Sequence, residues 1–142
     1  MSEPTPAQRD FAPRDGEVVT VRPKSSSLTK QNTAYFTGVS GNTAQAVNLA
    51  MHLVVIPPGG RAKPHYHLDF ETAIYVLEGQ VETRYGLNFE KSSINGPGDF
   101  VFIPPFVPHY PVNMSDTEPA RAIIARNDSA EHERVVLYDG RD

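Results

Sequence analysis

The chain predicts an all-β domain, and two observations carry that expectation. Thirteen prolines and ten glycines punctuate short runs rich in Val, Ile, Phe and Tyr. No stretch of about a dozen residues carries the i, i+3, i+4, i+7 apolar stripe of an amphipathic helix. The 142 residues, 39% of them hydrophobic, suffice for one domain with one core.

Taken in order, residues 1–16 are polar and carry Pro4, Pro6 and Pro13, so they read as a flexible arm ahead of a domain at 17–142. Strands are expected at Glu17–Val21, Thr33–Thr37, Val47–Ile56, Ala62–His67 and Thr72–Leu77, each bounded by turn-forming residues. Gly79 fits the tight turn from Leu77 into the next strand, Gln80–Tyr85, because positive φ is cheapest for glycine. Pro97-Gly98-Asp99 marks a turn, with a strand at Asp99–Ile103 beyond it. Pro104, Pro105 and Pro108 then stiffen the approach to a strand at His109–Asn113. Ala120–Arg126 follows, and Asp128–Asp142 holds either a last strand through Val135–Tyr138 or a short helix. There is no internal repeat.

Charge and cysteine usage exclude several classes of function. A net charge of -4 and a pI near 5.7, with Lys and Arg scattered, leave no electrostatic footprint for nucleic acid or for an anionic membrane. No run approaches the roughly 18 apolar residues of a membrane span, and the N-terminus is unlike a signal peptide, so a cytoplasmic protein is expected. With zero cysteines there are no disulfides, thiolate ligands or cysteine nucleophile.

The chemistry-bearing feature is His65-Tyr66-His67, followed by His109 in the Pro-rich turn. Residues two apart on a strand face the same side, so His65 and His67 can both enter a barrel while Tyr66 points away. Neutral imidazole nitrogens are the commonest metal ligands, and three that converge predict a site for one divalent ion per subunit. His132, among Glu131, Glu133 and Arg134, reads as a solvated surface residue.

Gly59-x5-His65-x-His67 running into Tyr75-Val76-Leu77-Glu78-Gly79 (59–79) resembles the first motif of the cupin superfamily. Gly98-x5-Pro104-x-Phe106-x2-His109-x3-Asn113 (98–113) is similar to the second, with Phe106 in place of the usual glycine. The resemblance implies a cupin double-stranded β-helix, a jelly-roll barrel or β-sandwich. It also implies a glutamate ligand seven residues before the closing glycine, where this chain has Thr72.

Glu71 is one residue out of phase with that position, and adjacent strand residues face opposite sides. A bulge would re-aim it. Otherwise His52, inside the apolar run 50–56, is the replacement, and the same histidine reads equally as a hydrogen-bonded core residue. The candidate ligands are therefore His52, His65, His67 and His109, and the candidate catalytic residues are Glu71, Thr72 and Asp69, with Thr72 placed to hydrogen-bond a metal-bound water. Phe102, Phe106 and Tyr110 read as a pocket wall or ordinary core, Tyr75 and Leu77 as packing or interface residues, and Asn113 as a turn stabiliser.

Nitrogen-rich ligation suits zinc, the favoured ion, with iron, nickel, copper or manganese as alternatives. The expected function is a metal-dependent enzyme acting on a small hydrophobic molecule. Its size and layout resemble the single-domain cupins of aromatic polyketide pathways, which implies a cyclase that closes carbon–carbon rings by aldol-type Lewis-acid chemistry. The alternatives are a dioxygenase of the three-histidine, one-glutamate type and a non-enzymatic small-molecule binder. A homodimer, with the arm draped over a partner's sheet edge, completes the expectation.

Overall fold

The computed structural model describes residues 12–24, 26–28 and 33–140, so residues 1–11 of the expected arm lie outside the described residues. In chain order the strands are β1 (Ser27–Leu28), β2 (Ala34–Val39), β3 (Ala50–Ile56), β4 (His65–His67), β5 (Thr72–Glu78) and β6 (Val81–Tyr85). They continue with β7 (Lys91–Asn95), β8 (Phe100–Ile103), β9 (His109–Asn113), β10 (Ala120–Arg126) and β11 (Val135–Leu137). They form two antiparallel sheets in a jelly roll, one ordered β1-β2-β3-β10-β5-β8 and the other β11-β4-β9-β6-β7.

The larger sheet shows the two-residue period that drives it. Ala50, His52, Val54 and Ile56 of β3 are buried, as are Ala120, Ala122, Ile124 and Arg126 of the neighbouring β10. Tyr35, Val54, Ala122 and Ile124 form the core cluster, with Ile74 packed against it. The opposite face of this sheet exposes Met51, Tyr75, Leu77, Phe100 and Phe102, and the Tyr75 and Phe100 rings lie 4.7 Å apart. Asn113 ties the connections together: its amide donates to the carbonyls of Ile56, Pro57 and Glu118, and its Oδ1 accepts from the Ser115 amide.

The structure departs from the sequence expectations in three places and decides between two alternatives in a fourth. Glu17–Val21 is irregular, with Val18 98% exposed, because no strand among the described residues pairs with it. The polar strand β7 pairs along its whole length with β6, although its composition gives no apolar signal. The C-terminal segment resolves into strand rather than helix, because β11 pairs with β4 from His67 to His65. A four-residue helix, α1 (Gly41–Ala44), is capped by Ser40, whose side chain accepts from the Thr43 amide. No helix among the described residues is long and apolar enough to cross a membrane.

Candidate metal centre

β4 delivers His65 and His67 to the same side of the smaller sheet, and β9 places His109 directly opposite His65. All three are buried, and one ring nitrogen from each lies within 4.8 Å of the others. Their orientations are fixed from behind. His65 Nδ1 donates to the Lys63 carbonyl at 2.7 Å, and His109 Nδ1 donates to the Val107 carbonyl at 2.9 Å. His67 Nδ1 meets Thr72 Oγ1 at 3.2 Å, while Phe70 stacks on its ring at 4.9 Å. With every Nδ1 engaged, Nε2 is the nitrogen each ring has left to offer, the arrangement by which proteins select a histidine tautomer for a metal.

Electrostatics point the same way. Burial lowers the pKa of His65, and burial followed by the charges of His65 and His67 lowers that of His109 to about 3. Both rings are therefore neutral near pH 7, as ligation requires. His67 Nε2 is buried without a hydrogen bond of acceptable geometry. A buried orphan nitrogen beside two neutral imidazoles fits a divalent cation with nitrogen and oxygen ligands.

The remaining candidates divide sharply. Thr72 points inward, 1% exposed, and holds His67. Glu71 and Asp69 are exposed on the outside, so neither reaches the three rings. β5 does carry an irregularity against β10, but it falls between the pairs Arg121–Glu78 and Ala122–Val76, at the far end of the strand from Glu71. Thr72 pairs regularly with Ile103, so Glu71 is not re-aimed. His52 is buried yet stands outside the three-histidine group. Its Nδ1 accepts from the Gly38 amide at 3.1 Å, which leaves Nε2 to carry the proton. That is the core-histidine alternative.

A carboxylate from the C-terminal segment approaches one of the three rings. Glu133, in the charged stretch around His132, has a side chain only 2% exposed and its Oε2 lies 3.1 Å from His67 Nε2. Its Oε1 accepts from the Tyr35 hydroxyl, and Arg126 Nη1 stands 3.9 Å away. Burial opposes ionisation of Glu133, but its contacts with His67 and Tyr35 prevail and hold its pKa at about 2. Its placement follows from the β11–β4 pairing rather than from a local sequence signal: Val135 pairs with His67 and is buried with it, and Glu133 lies two residues earlier.

The histidines open into a cavity walled by Val54, Ile56, Ile74, Val76, Ile103 and Ile124, with Thr83 and Asn95 as polar points. Glu133 is the one acid along this lining among the described residues. A second hollow outside it is bordered by Tyr85, Phe102, Phe106 and Pro108. Phe106, expected at a glycine position, has φ +66, and its amide donates to the His67 carbonyl at 2.9 Å. Phe102 and Phe106 are more than half exposed, so they edge this outer hollow rather than the core, whereas Tyr110 packs edge-on against Phe89.

Residues 52–125 match the family described as Cupin domain. The chain belongs to the cupin family. Both histidine-bearing strands fall inside the matched span. This cupin is 34% identical over 104 residues to "Germin-like protein subfamily T member 3" of Arabidopsis thaliana, which covers 70% of this chain and 42% of that protein. It thus spans about two fifths of the curated relative. Its fold is similar to an oxalate decarboxylase from Lactobacillus farciminis solved as a formate complex, with TM-score 0.67 and 19% identity over 81% of this chain and 33% of that one. It is also similar to the polyketide cyclase RemF from Streptomyces resistomycificus, with TM-score 0.61 and 24% identity over 82% of this chain and 75% of the other.

Proposed function

We propose that this cupin is a metal-dependent enzyme that acts on a small, largely apolar molecule, and that His65, His67 and His109 hold its single divalent ion, zinc being favoured. The supporting observation is the set of three buried imidazoles with every Nδ1 engaged, opening into an aliphatic cavity. When bound, such an ion supplies a Lewis acid that polarises a substrate carbonyl. The chain's own part is positional. The aliphatic walls bind an apolar ring system and exclude water, which strengthens every polar interaction inside. Thr72 fixes the plane of His67 and is a positioning residue, while Asp69 and Glu71 take no part. Thr83 and Asn95 offer hydrogen bonds to orient a polar substituent.

Within this class, non-redox closure of a carbon–carbon ring, of the kind a polyketide cyclase performs, is the reading we favour. It is supported by neutral nitrogen ligation, by the apolar cavity and by a likeness of fold and length to RemF. A three-histidine, one-carboxylate dioxygenase is the second reading, and the approach of Glu133 to His67 supports it. The test combines elemental analysis of the purified chain with turnover of a poly-β-ketone probe, with and without oxygen. One zinc per chain and oxygen-independent cyclisation support the first reading. Iron, nickel, copper or manganese with oxygen consumed in step with turnover selects the second. Stoichiometric ligand retention without turnover leaves a binding protein, and failure to take up any divalent ion overturns both metal-based readings.

The same proposal includes a cytoplasmic homodimer. The apolar outer face of the larger sheet, from Met51 across Tyr75 to Phe100, supports pairing through that face. Phe100→Asp is expected to give a monomer by analytical ultracentrifugation, and an unchanged mass removes that face from consideration.

A further inference from the structure

We propose that the outer hollow is a binding site for a carboxylic acid, in which Lys91 meets the carboxylate while the apolar body of the ligand reaches past His109 towards the aliphatic cavity. This rests on the reading of that cavity as the place where an apolar substrate lies, and it adds the class of the substrate: a monoanionic acid with an apolar body.

The orientation of β7 carries it. β7 pairs with β6 so that Asn95 stands opposite Val81, Ser93 opposite Thr83 and Lys91 opposite Tyr85. Residues directly opposite on antiparallel strands share a face of the sheet. Val81 and Thr83 line the inner cavity, and Thr83 and Tyr85 line the outer hollow, so Lys91, Ser93 and Asn95 are turned to the space between the sheets. Ile94, the one large apolar residue of the strand, is turned to solvent and is 55% exposed. A strand built for packing has the reverse arrangement, with apolar residues in and polar residues out. β7 and β8 are the edges of their sheets, and the hollow lies between them, so the inverted strand presents its polar row to an open space.

The charges of the hollow define the ligand. Among the described residues its lining holds one lysine, Lys91, and one acid, Glu90. Glu90 is committed to its own turn, where Oε2 accepts from the Asn88 amide at 2.9 Å. Lys91 forms no ion pair among the described residues, and its Nζ stands 6.0 Å from the centre of the Tyr85 ring. A single ammonium beside a fixed carboxylate suits a monoanion better than a doubly charged phosphate. Ser93 Oγ donates to Asn95 Oδ1 at 3.1 Å, which leaves Asn95 Nδ2 to donate to the same ligand.

The same row sets a length. His109 stands opposite Tyr85, and Tyr85 opposite Lys91, so two strand spacings separate the backbones of histidine and lysine by about 10 Å. Thr83, Asn95, Val101, Ile103 and His109 line both spaces, which therefore adjoin. An acid held at Lys91 brings its far end to His109 when its apolar body is about as long as that span.

Calorimetric titration of the full-length protein with octanoate, octanol and acetate, before and after zinc loading, tests this. Lys91→Met, which keeps an unbranched stem and loses the charge, is compared with wild type and with Lys24→Met at an exposed site. Octanoate is expected to bind Lys91→Met at least fivefold more weakly than it binds the other two, octanol to bind all three equally, and acetate to bind each far more weakly than octanoate. Unchanged octanoate affinity in Lys91→Met overturns the proposal, and so does an equal loss for octanol, which marks a purely structural role. Acetate that binds as tightly as octanoate overturns the reach towards His109. Octanoate that binds only after zinc loading and is insensitive to Lys91 places the carboxylate on the ion and refutes the outer site. A protein that takes up no zinc and still binds octanoate through Lys91 supports the outer site and overturns the metal reading alone.

Discussion

Two stretches of this cupin carry acidic residues near the same three histidines, and they behave oppositely. In the connection from β4 into β5, Asp69 and Glu71 lie two and four residues from His67, yet both face solvent. In the C-terminal segment, Glu133 lies 66 positions beyond His67 and touches it. The difference is one of phase. Thr72 occupies the inward position at the start of β5, so the residue before it must face out. The approach to β11 is in phase with Val135, which shares its side of the sheet with His67, so Glu133 is carried inward. Proximity along the chain is a poor guide where side chains alternate.

The largest expected effect sharpens this contrast directly. Glu133→Ala in the metal-free protein leaves Arg126 buried without its counter-charge and is expected to destabilise by about 3 to 5 kcal/mol in chemical denaturation. Glu71→Ala is expected to stay within about 0.5 kcal/mol. Comparable losses at the two positions would dissolve the distinction between them. Thr72→Val removes the oxygen behind His67 Nδ1 and is expected to weaken metal affinity by about tenfold to a hundredfold, with Thr72→Ser retaining it. Isothermal titration with Zn²⁺ is the measurement, and an unaffected Val variant would assign Thr72 to packing alone.

A smaller effect appears with pH. Burial, with Arg126 second, lowers the pKa of His52 from 6.5 to about 4. The folded state thus binds fewer protons there than the unfolded chain, so stability is lost as pH falls from about 6.5 towards 4. The His52 share amounts to about 1 to 2 kcal/mol between pH 7 and pH 5. His52→Asn keeps an acceptor for the Gly38 amide and cannot take up that proton, so its unfolding free energy should fall less over the same interval. An identical fall in both proteins would mean that His52 charges freely in the folded state.

How much of this was legible in the sequence follows from how local each signal is. His65, His67 and His109 are set by strand period and turn chemistry within their own motifs, and they converge as expected. Asn113 stabilises turns for the same reason. Glu133 depends on a pairing between β11 and β4 that no local pattern encodes, and its neighbours Glu131 and Arg134 mimic a solvated run. β7 escaped notice because Lys91, Ser92 and Ser93 supply no apolar alternation, and its existence is imposed by the free edge of β6. Glu17–Val21 shows the converse: residues fit for a strand remain irregular without an edge to join among the described residues. His52 was ambiguous in sequence because a buried imidazole satisfies a backbone amide as readily as a cation.

Phe106 bears on evolvability. A left-handed backbone at a residue with a side chain costs about 1 to 2 kcal/mol that glycine would avoid. In return the chain hangs an aromatic ring on the rim of the outer hollow, on a backbone locked to the His67 carbonyl. Phe106 borders that hollow from a position that contributes no donor atom, so a single substitution there can reshape the rim while the three histidines are inherited intact.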